Sequence, residues 1–567
     1  MKPQWRLLVI GCLITLIGLI TAHLVQTSGG VTVKDIRFTG ADGKTISALL
    51  YVPKTATPET KAPAILAVHG YINSRETQSA FAIEYARRGY VVLTPDQLGH
   101  GYSDGPAFAN GFGGPASLTY LRTLDIVDTD NIGLEGHSMG GWTILAAAAI
   151  QPEAYKSMVL VGSSTGAPFA LEGSPDWPRN LAVIFSKYDE FAPLMWGTAR
   201  GGGAPDSPKL QALFNTNSTI TPGRLYGDLN SGTARVLYQP GVTHPGDHIS
   251  TVTIGQSITW FAQTLDGGTD LPSRNQIWPL KELGTLIALI GFVLILLGTF
   301  EALLEIRYFA QLKATPSTFA FEQRNRAWWA IAGLSAVVPV ASFYILFKGA
   351  EALFPASALL PQTITTQVAF WAVLNGVFAA LLGLLLRTRT PQFNHRPVAA
   401  ALIAIATLAV GYLAVWLAGA VLNLDFRFWV VAVKPLSAEQ ARIALVYLLP
   451  FGLYFTLAMR ALHGGLSVAG DTRRQTYGSN IAVMTGGFLI FLIAQYGALF
   501  TTGKLLTPGE PLNTIIMLQF VPLMLIVSLI ATFTYRRTAS YLPGAMINTL
   551  FVTWYIVAGQ ATQFAAA

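Results

Sequence analysis

The chain has 567 residues, too many for one compact domain, because single hydrophobic cores stop growing at roughly 250–300 residues. Hydrophobic residues make up 52% of the chain and charged residues only 12%, about half of the ~25% that is usual in soluble proteins. This composition excludes a wholly soluble globular protein and a disordered one, and it predicts that part of the chain contacts lipid.

The formal net charge of +7 is unevenly distributed along the chain. Residues 26–274 contain 17 basic and 21 acidic residues, a balance of −4, and the rest contains the other 20 basic and 9 acidic residues, a balance of +11. The positive excess therefore lies beside hydrophobic runs, where it is an orientation signal for a membrane protein rather than a nucleic-acid surface. We expect no nucleic-acid partner.

The first element in chain order is an apolar run over residues 7–25, long enough to cross a hydrocarbon layer of ~30 Å. Lys2 and Arg6 precede it and predict a cytoplasmic N-terminus. The only cysteine, Cys12, excludes a disulfide within the chain. The residues before Cys12 resemble a lipoprotein cleavage box, but the apolar run before it is shorter than a signal-peptide core of ~7–15 residues and continues past it. We therefore predict an uncleaved membrane anchor over residues 1–29.

Residues 30–265 have the composition of a soluble α/β domain. Segments 32–38 and 45–51 indicate an antiparallel hairpin, and after it apolar β-branched runs alternate with helical patterns. This alternation predicts a mostly parallel sheet with helices on both faces. The predicted strands cover residues 64–68, 91–94, 132–135, 157–161, 181–185 and 236–239, and the predicted helices lie near residues 77–88, 140–150 and 251–264.

A predicted linker over residues 266–282 leads into a strongly hydrophobic region, residues 283–567. Eight further apolar stretches of about 20 residues each predict an all-α transmembrane bundle, and with the anchor they give about nine transmembrane helices in total. The predicted spans of the bundle cover roughly residues 283–304, 327–347, 366–386, 398–422, 443–462, 480–500, 514–534 and 544–563.

The loops between these spans differ in basic residues. With the N-terminus inside, the inner loops carry 12 of them and the outer loops 5, which agrees with the orientation given by the N-terminal flank. We therefore predict a multi-pass protein of the cell membrane whose globular domain is extracytoplasmic. The inner-loop residues are Arg307, Lys313, Arg324, Arg326, Arg387, Arg389, Arg396, Arg460, Arg473, Arg474, Arg536 and Arg537, and the outer-loop residues are Lys348, Arg427, Lys434, Arg442 and Lys504.

The sharpest local motif is GHSMG at residues 136–140, which lies directly between a predicted strand and a predicted helix. So tight a strand-to-helix turn needs small residues two positions before and after the serine, because larger side chains would collide there. The serine is then held in a strained conformation at a helix N-terminus, which favours developing negative charge. The motif therefore predicts a nucleophile at Ser138.

Two further motifs complete a resemblance. VHGY at residues 68–71 is similar to the oxyanion-loop segment of the α/β-hydrolases, and DQLGHGYS at residues 96–103 is similar to the segment that follows their fourth strand. Residues 32–265 thus resemble an α/β-hydrolase of the esterase, lipase and dienelactone-hydrolase kind. The resemblance covers about two-fifths of the chain and says nothing about the bundle.

This resemblance implies the other site residues by their positions. The oxyanion hole would use the main-chain N–H groups of Met139 and Tyr71. The acid is expected after a later strand, where Asp189 matches the position of the family acid and Glu190 is its neighbouring rival. His69 and His100 are expected to brace loops near the site. Two stretches are candidate lids, namely the Gly-rich residues 105–114 and the long connection between Asp189 and His244, which contains Gly201–Gly203.

The base is expected between the last strand and the final helix, where the chain offers two histidines. His244, directly after a Gly-Val-Thr turn, is favoured, and His248 is the rival. With Asp247 the two histidines could also suggest a metal site. However, Pro245 and Gly246 separate them in a non-helical stretch, so the geometry of a helical histidine pair is absent and no metal is predicted. We expect no cofactor.

Together these observations predict a membrane-anchored serine hydrolase that cleaves ester-type substrates at the outer face of the cytoplasmic membrane. Tethering near the bilayer favours lipid or other amphiphilic acyl esters, with membrane lipid as a neighbour, over other small-molecule esters. A peptidase or thioesterase would use the same triad and is an alternative. A second alternative is a polytopic transporter or assembly factor whose hydrolase-like domain is a binding module. The oligomeric state and the role of the bundle stay open.

Overall fold

The computed structural model describes residues 3–385 and 391–564. Three residues used above for the predicted orientation, Lys2, Arg387 and Arg389, lie outside this range. The chain begins with helix α1 (Pro3–Gln26), which contains the predicted apolar anchor run. A globular part follows, and after it a helical part continues to the end of the described chain.

The globular part is built on one eight-stranded sheet. Its strands are β1 (Thr32–Thr39), β2 (Thr45–Val52), β3 (Ala62–Val68), β4 (Val91–Pro95), β5 (Val127–His137), β6 (Ser157–Val161), β7 (Leu181–Ile184) and β8 (Arg235–Tyr238). They are arranged in the order β1-β2-β4-β3-β5-β6-β7-β8. The pairs β1–β2 and β2–β4 are antiparallel, and every other neighbouring pair is parallel. The predicted N-terminal hairpin and the mostly parallel sheet are confirmed.

Helices cover both faces of this sheet. They are α2 (Ser79–Ala86), α3 (Gly114–Thr123), α4 (Met139–Ile150), α5 (Ala192–Trp196), α6 (Pro208–Leu213) and α7 (Thr251–Thr264). Successive side chains of β3 point to opposite faces, as in any strand. Leu66 belongs to a core with Leu145 of α4, whereas Ile65 belongs to a second core with Phe81 of α2 and Phe261 of α7. Two separate apolar layers therefore hold the sheet between helices.

The helical part contains ten helices and one short hairpin within the described ranges. They are α8 (Trp278–Leu303), α9 (Arg326–Ala341), α10 (Phe343–Leu353), α11 (Thr363–Leu385), α12 (Pro397–Leu422), β9 (Phe426–Phe428), β10 (Val431–Val433), α13 (Ala438–Gly465), α14 (Arg473–Thr502), α15 (Pro511–Leu518), α16 (Phe520–Thr538) and α17 (Leu542–Gly559). Within residues 3–385 and 391–564, eight helices are long and apolar enough to cross a membrane, with α15 and α16 counted as one span. The bent pair α9–α10 makes nine, the number the sequence predicts.

Two spans differ in detail from the sequence prediction. The stretch predicted as one span over residues 327–347 bends by 48° between α9 and α10. Pro339 in α9 explains a bend here, because it has no N–H to donate and its ring displaces the carbonyl one turn earlier. The first span of the bundle begins at Trp278 rather than at residue 283, with Pro279 in the first turn, where a missing N–H costs nothing.

Glycines bring α1 and α8 into close contact. A Cβ atom on Gly18 would lie 2.4 Å from the carbonyl oxygen of Gly284, and one on Gly291 would lie 2.5 Å from the main-chain nitrogen of Thr15. Gly284, Gly291 and Gly298 are seven residues apart and so face the same side of α8. Small residues at such spacing let the backbones of membrane helices approach one another. The two helices that connect to the globular part are therefore packed as a pair.

Charged side chains at the far end of the helical part form ion pairs with one another. Arg324 forms an ion pair with Asp471 at 2.7 Å, and Arg537 forms one with Glu301 at 2.7 Å. Arg324 and Arg537 are two of the residues that the charge distribution assigns to the inner side. The loops at the near end contact the globular part instead.

A buried cluster of charges joins the globular part to the β9–β10 hairpin. Arg427 pairs with Asp425 at 2.7 Å and donates to the Thr77 hydroxyl at 2.7 Å. Lys434 Nζ lies 3.1 Å from Glu76 Oε2. The charged members of this cluster are almost fully buried, so each depends on its partners for compensation. The cluster therefore fixes how the two parts are oriented.

The segment after α17 returns to the globular part. The N–H of Thr562 donates to the carbonyl of Gly99 at 2.8 Å, and the N–H of Ala107 donates to the carbonyl of Thr562 at 2.8 Å. Gln563 Nε2 donates to the Tyr71 hydroxyl at 2.6 Å. Residues near the end of the described chain thus pair with loops at the carboxyl ends of β3 and β4.

Candidate active site

Ser138 lies in the turn between β5 and α4, in a backbone conformation that is rare for a residue with a side chain. Its φ is 55° and its ψ is −121°. A Cβ atom on Gly136 would lie 2.3 Å from the carbonyl oxygen of Gly140, and one on Gly140 would lie 2.1 Å from that of Val68. The turn therefore requires glycine at both positions. It aims the serine at the N-terminal end of α4, where the helix dipole favours negative charge.

His244 and Asp189 form a buried pair in the loops after β8 and β7. His244 Nδ1 lies 2.8 Å from Asp189 Oδ2, and Asp189 Oδ1 accepts a 2.8 Å hydrogen bond from the main-chain N–H of Phe191. Burial lowers the pKa of His244, because the imidazolium form would lose its hydration. The ring is therefore neutral, and with the Nδ1 proton directed at Asp189, its Nε2 is left as a proton acceptor.

Glu190 does not contact the His244 ring. Its Oε2 accepts a 2.8 Å hydrogen bond from the main-chain N–H of His244, and its Oε1 accepts a 3.0 Å hydrogen bond from the Tyr496 hydroxyl in α14. Burial, together with the nearby Asp189, raises the pKa of Glu190 to about 8. Glu190 thus holds the loop of His244 against a helix of the bundle, whereas Asp189 contacts the ring.

His248 differs from His244 in its partners. Its ring centroid is 4.0 Å from that of His137, and both histidines line the same cavity as Ser138. Within the described chain neither ring nitrogen of His248 has a hydrogen-bond partner. Of the two histidines that the sequence offers, only His244 is paired with a carboxylate.

His69 and His100 hold the loop after β3. His69 Nδ1 donates to the carbonyl of Gly70 at 2.7 Å, and its Nε2 accepts from the N–H of Gln97 at 3.1 Å. His100 Nδ1 donates to the carbonyl of Leu98, and its Nε2 accepts from the N–H of Ile72 at 3.3 Å. Burial lowers the pKa of His69 to about 4 and that of His100 to about 3. Both rings have their two nitrogens occupied in bracing bonds.

The two main-chain donors expected to face an oxyanion lie on either side of Ser138. Met139 is the first residue of α4, and Tyr71 lies in the loop after β3. A Cβ atom on Gly70 would be 3.1 Å from Ser138 Cβ, which places this loop directly beside the serine. Neither the N–H of Tyr71 nor that of Met139 donates to another described residue. Ile72, the residue after Tyr71, has a φ of 54°, a strained value for a β-branched side chain.

Ser138, His244 and His248 line one cavity of about 290 Å³. Its walls are mostly apolar. The globular part contributes Phe108, Trp142, Phe169, Phe191, Leu194 and Met195, and the helical part contributes Trp429, Val430, Leu512, Ile515 and Gln519. Phe108 lies in one of the two stretches that the sequence marks as candidate lids, and Leu194 and Met195 lie in the other. The residues from the helical part are absent from the sequence prediction, and no local motif marks them.

Comparison with known proteins agrees with this architecture. A family model described as alpha/beta hydrolase fold matches residues 63–193. Lipase 3 of a Moraxella species is 32% identical over 133 residues, which are 22% of this chain and 40% of the lipase. A mitochondrial palmitoyl-protein thioesterase of Homo sapiens is 33% identical over 109 residues, which are 19% of this chain and 35% of the thioesterase.

The matched region is limited on both sides. An uncharacterized protein of Mycobacterium tuberculosis is 32% identical over 108 residues, which are 18% of this chain and 29% of that protein. The chain thus spans 40% or less of the length of these curated relatives. Among solved structures, an esterase of Pyrococcus furiosus matches 41% of this chain and 91% of its own at 15% identity, with a TM-score of 0.31.

The family match lies on the β3–β7 region that carries the serine turn, and the sheet has helices on both faces. The helical part has seven or eight long apolar helices among the described residues, and together with α1 it is compatible with a multi-pass membrane protein. The globular part of this chain is therefore an α/β-hydrolase domain.

Proposed function

We propose that this chain is a membrane-anchored serine hydrolase that cleaves ester-type substrates, with residues 30–265 as its catalytic domain. Ser138 is the nucleophile, His244 is the general base and then the general acid, and Asp189 orients His244. One observation carries the proposal. His244, bonded through Nδ1 to a buried carboxylate, lines the same cavity as a serine held at a strained helix N-terminus.

The reaction begins when Ser138 Oγ attacks the ester carbonyl carbon and His244 Nε2 takes the serine proton. The carbonyl oxygen becomes an oxyanion, to which the N–H groups of Tyr71 and Met139 donate. When the intermediate collapses, the bond from carbon to the alcohol oxygen breaks and His244 returns the proton to that oxygen. A water molecule then attacks the acyl-serine, again with His244 as base, and releases the acid and free Ser138.

The rival residues are given other roles. His248 has no carboxylate partner in the described chain, so nothing fixes its tautomer for proton transfer. Glu190 contacts the main chain of His244 rather than its ring, so it positions the loop and does not orient the imidazole. We therefore prefer His244 over His248 as the base and Asp189 over Glu190 as the acid.

The proposed ester class is supported by the named relatives and by the cavity. One relative is a lipase and another is a palmitoyl-protein thioesterase, and the cavity walls are mostly apolar. Thioesters are the second candidate, favoured by that thioesterase, because attack on a thioester carbonyl needs the same groups. Peptide bonds gain no support from these named relatives.

We further propose that the hydrolase domain is extracytoplasmic. This orientation is supported by the excess of basic residues in the loops at the far end of the bundle, since such residues are enriched on the cytoplasmic side. Cysteine substitutions at exposed positions, one on each side, would test it with a membrane-impermeant thiol reagent in a Cys12→Ala background. Labelling of Ser218→Cys and not of Glu305→Cys in intact cells is expected, and the reverse would overturn the orientation.

A fluorophosphonate probe, which reacts with activated serines, tests the enzyme proposal. The full chain should be labelled when purified in lipid nanodiscs, and Ser138→Ala should abolish labelling. Ser218→Ala, at an exposed position of the same domain, is the matched control and should be labelled like the wild type. Absence of labelling in well-folded wild-type protein would contradict the proposal and favour a binding module. Turnover of matched ester and thioester pairs would then decide between the two candidate classes.

A further inference from the structure

The bundle closes the cavity above Ser138. Leu512 and Ile515 of α15, Val430 of the turn between β9 and β10, and Gln519 at the break between α15 and α16 line it together with residues of the hydrolase domain. Of these four, three are apolar. The membrane part of the chain therefore builds one wall of the cavity, from residues that lie far in sequence from the proposed triad.

This wall is held firmly in place. The Trp429 indole nitrogen donates a 2.7 Å hydrogen bond to the carbonyl of Pro245, the residue after His244. On the other side of the hairpin, Arg427 and Lys434 are buried in ion pairs, and Lys434 pairs with Glu76 of the hydrolase domain. The contact between the bundle and the cavity is therefore a built interface, supported by bonds on both sides of Val430.

The depth of the wall along α15–α16 can be estimated from helix geometry. The span Pro511–Thr538 has 28 residues, about 42 Å at 1.5 Å per residue, which matches a hydrocarbon core with both head-group layers. Ile515 is four residues from its start, about 6 Å along the axis. If this span crosses the bilayer from end to end, the cavity lies level with the boundary between head groups and hydrocarbon, where the ester bond of an acyl lipid also lies.

The nature of the cavity walls limits what can fill it. The walls contributed by both parts of the chain are mostly apolar, and the cavity they enclose measures about 290 Å³. These walls can pack along the methylene groups of an acyl chain. Apolar walls favour such a chain because burial removes its surface from water.

We infer that the bundle forms the acyl-binding wall of the hydrolase, with Leu512, Ile515 and Val430 as residues that determine chain length. The substrate is then an acyl ester whose chain packs against this wall, rather than a short water-soluble ester. The inference rests on the proposed hydrolase function. It goes beyond that function by assigning the membrane part a share in substrate selection.

The test is the chain-length profile of the full chain in lipid nanodiscs, measured as kcat/KM for p-nitrophenyl acetate, butyrate, octanoate, decanoate and palmitate. The wild type should prefer the longer esters, from octanoate upward, over acetate and butyrate. Ile515→Trp places a larger side chain in the wall and reduces the volume of the cavity. The ratio of kcat/KM for decanoate to that for butyrate should therefore fall about tenfold or more. Ile515→Ala enlarges the cavity and should shift the preference in the opposite direction, toward palmitate.

Leu525→Trp and Leu525→Ala are the matched controls. Leu525 lies in the same span but its side chain is exposed on the bundle surface and does not line the cavity, so both variants should keep the wild-type profile. The inference is overturned if the two Ile515 variants keep that profile, if the Leu525 variants shift it equally, or if the wild type prefers acetate. Failure of the proposed function has a separate signature, namely no hydrolysis of any ester and no labelling by the fluorophosphonate probe.

Discussion

The Tyr496 hydroxyl, in a helix of the bundle, donates a hydrogen bond to Glu190, and the other carboxylate oxygen of Glu190 accepts one from the main chain of His244. A single side chain thus connects a membrane helix to the loop of the proposed base. Asp189 holds the same histidine by its ring. The position of His244 therefore depends on both parts of the chain.

Removing the Tyr496 hydroxyl should loosen this loop without touching the substrate. We expect Tyr496→Phe to lower kcat by about tenfold, the value of one hydrogen bond to a buried acidic group, while KM for a short ester stays near the wild-type value. Steady-state kinetics on p-nitrophenyl butyrate would measure this. Tyr477→Phe, near the other end of the same helix, is the control. A change in KM alone would contradict a positioning role for Tyr496.

The two histidines in the loop after β8 should differ sharply in their contribution to turnover. His244→Ala removes the proposed base and should lower kcat by roughly 10³-fold or more. His248→Ala removes a ring without a carboxylate partner and should cost far less. The measurement is kcat on one ester for both variants, after thermal unfolding has verified that each is folded. Equal or reversed losses would overturn the assignment of His244.

The raised pKa of Glu190 has a consequence for stability. Burial raises it to about 8, so the folded chain keeps this proton at pH values where the unfolded chain, with its ordinary pKa near 4.5, has lost it. The folded state then binds more protons between about pH 4.5 and pH 8, and stability falls as the pH rises through this range. Asp189, the His244 main chain and Tyr496 are the groups that face this carboxyl.

Glu190→Gln should remove that contribution. The amide can accept from the His244 N–H and donate to the Tyr496 oxygen, so both hydrogen bonds are kept. We expect the Tm of the wild type to fall more between pH 5 and pH 8 than the Tm of Glu190→Gln. Other buried carboxyls with raised pKa, such as Glu135, are present in both proteins and cancel in the comparison. Parallel Tm curves would contradict the prediction.

The buried charge cluster should be important for stability. Burial alone would raise the pKa of Glu76, but Lys434, Arg75 and Arg427 around it hold that pKa well below its usual range. Glu76→Gln leaves buried cations without their compensating charge and should cost about 3 kcal/mol, seen as a lower Tm. Glu305→Gln, which breaks the half-exposed pair with Lys313, is the control and should change the Tm little. Equal decreases in Tm for Glu76→Gln and Glu305→Gln would contradict a larger contribution of the buried cluster to stability.

Local patterns explain why much of the fold could be predicted. The alternation of β-branched runs and helices gives the sheet, and the two glycines around Ser138 are required by contacts within a few residues of the turn and with the neighbouring strand β3. The apolar runs give the spans because a helix in lipid must be apolar along its length. The bend between α9 and α10 depends on Pro339 and on packing against other helices. Its direction cannot be read from the local sequence.

The cavity wall could not be predicted in the same way. Ile515 lies 377 residues after Ser138 in sequence, and nothing in its neighbourhood distinguishes it from any other apolar residue of a membrane helix. The same holds for Tyr496, because its hydroxyl is distinguished from that of other tyrosines only by its hydrogen bond to Glu190, which is distant in sequence. Contacts between segments that are distant in sequence depend on the tertiary arrangement, which local periodicity does not encode.

The return of Thr562 to the hydrolase domain sets an order for biosynthesis. Gly99 and Ala107 belong to loops translated early, yet the backbone bonds they make with Thr562 require a residue that the ribosome reaches more than 450 positions later, after α17. These two hydrogen bonds can therefore form only after α17 has been synthesised. The loop after β4 thus reaches its final contacts late in biosynthesis.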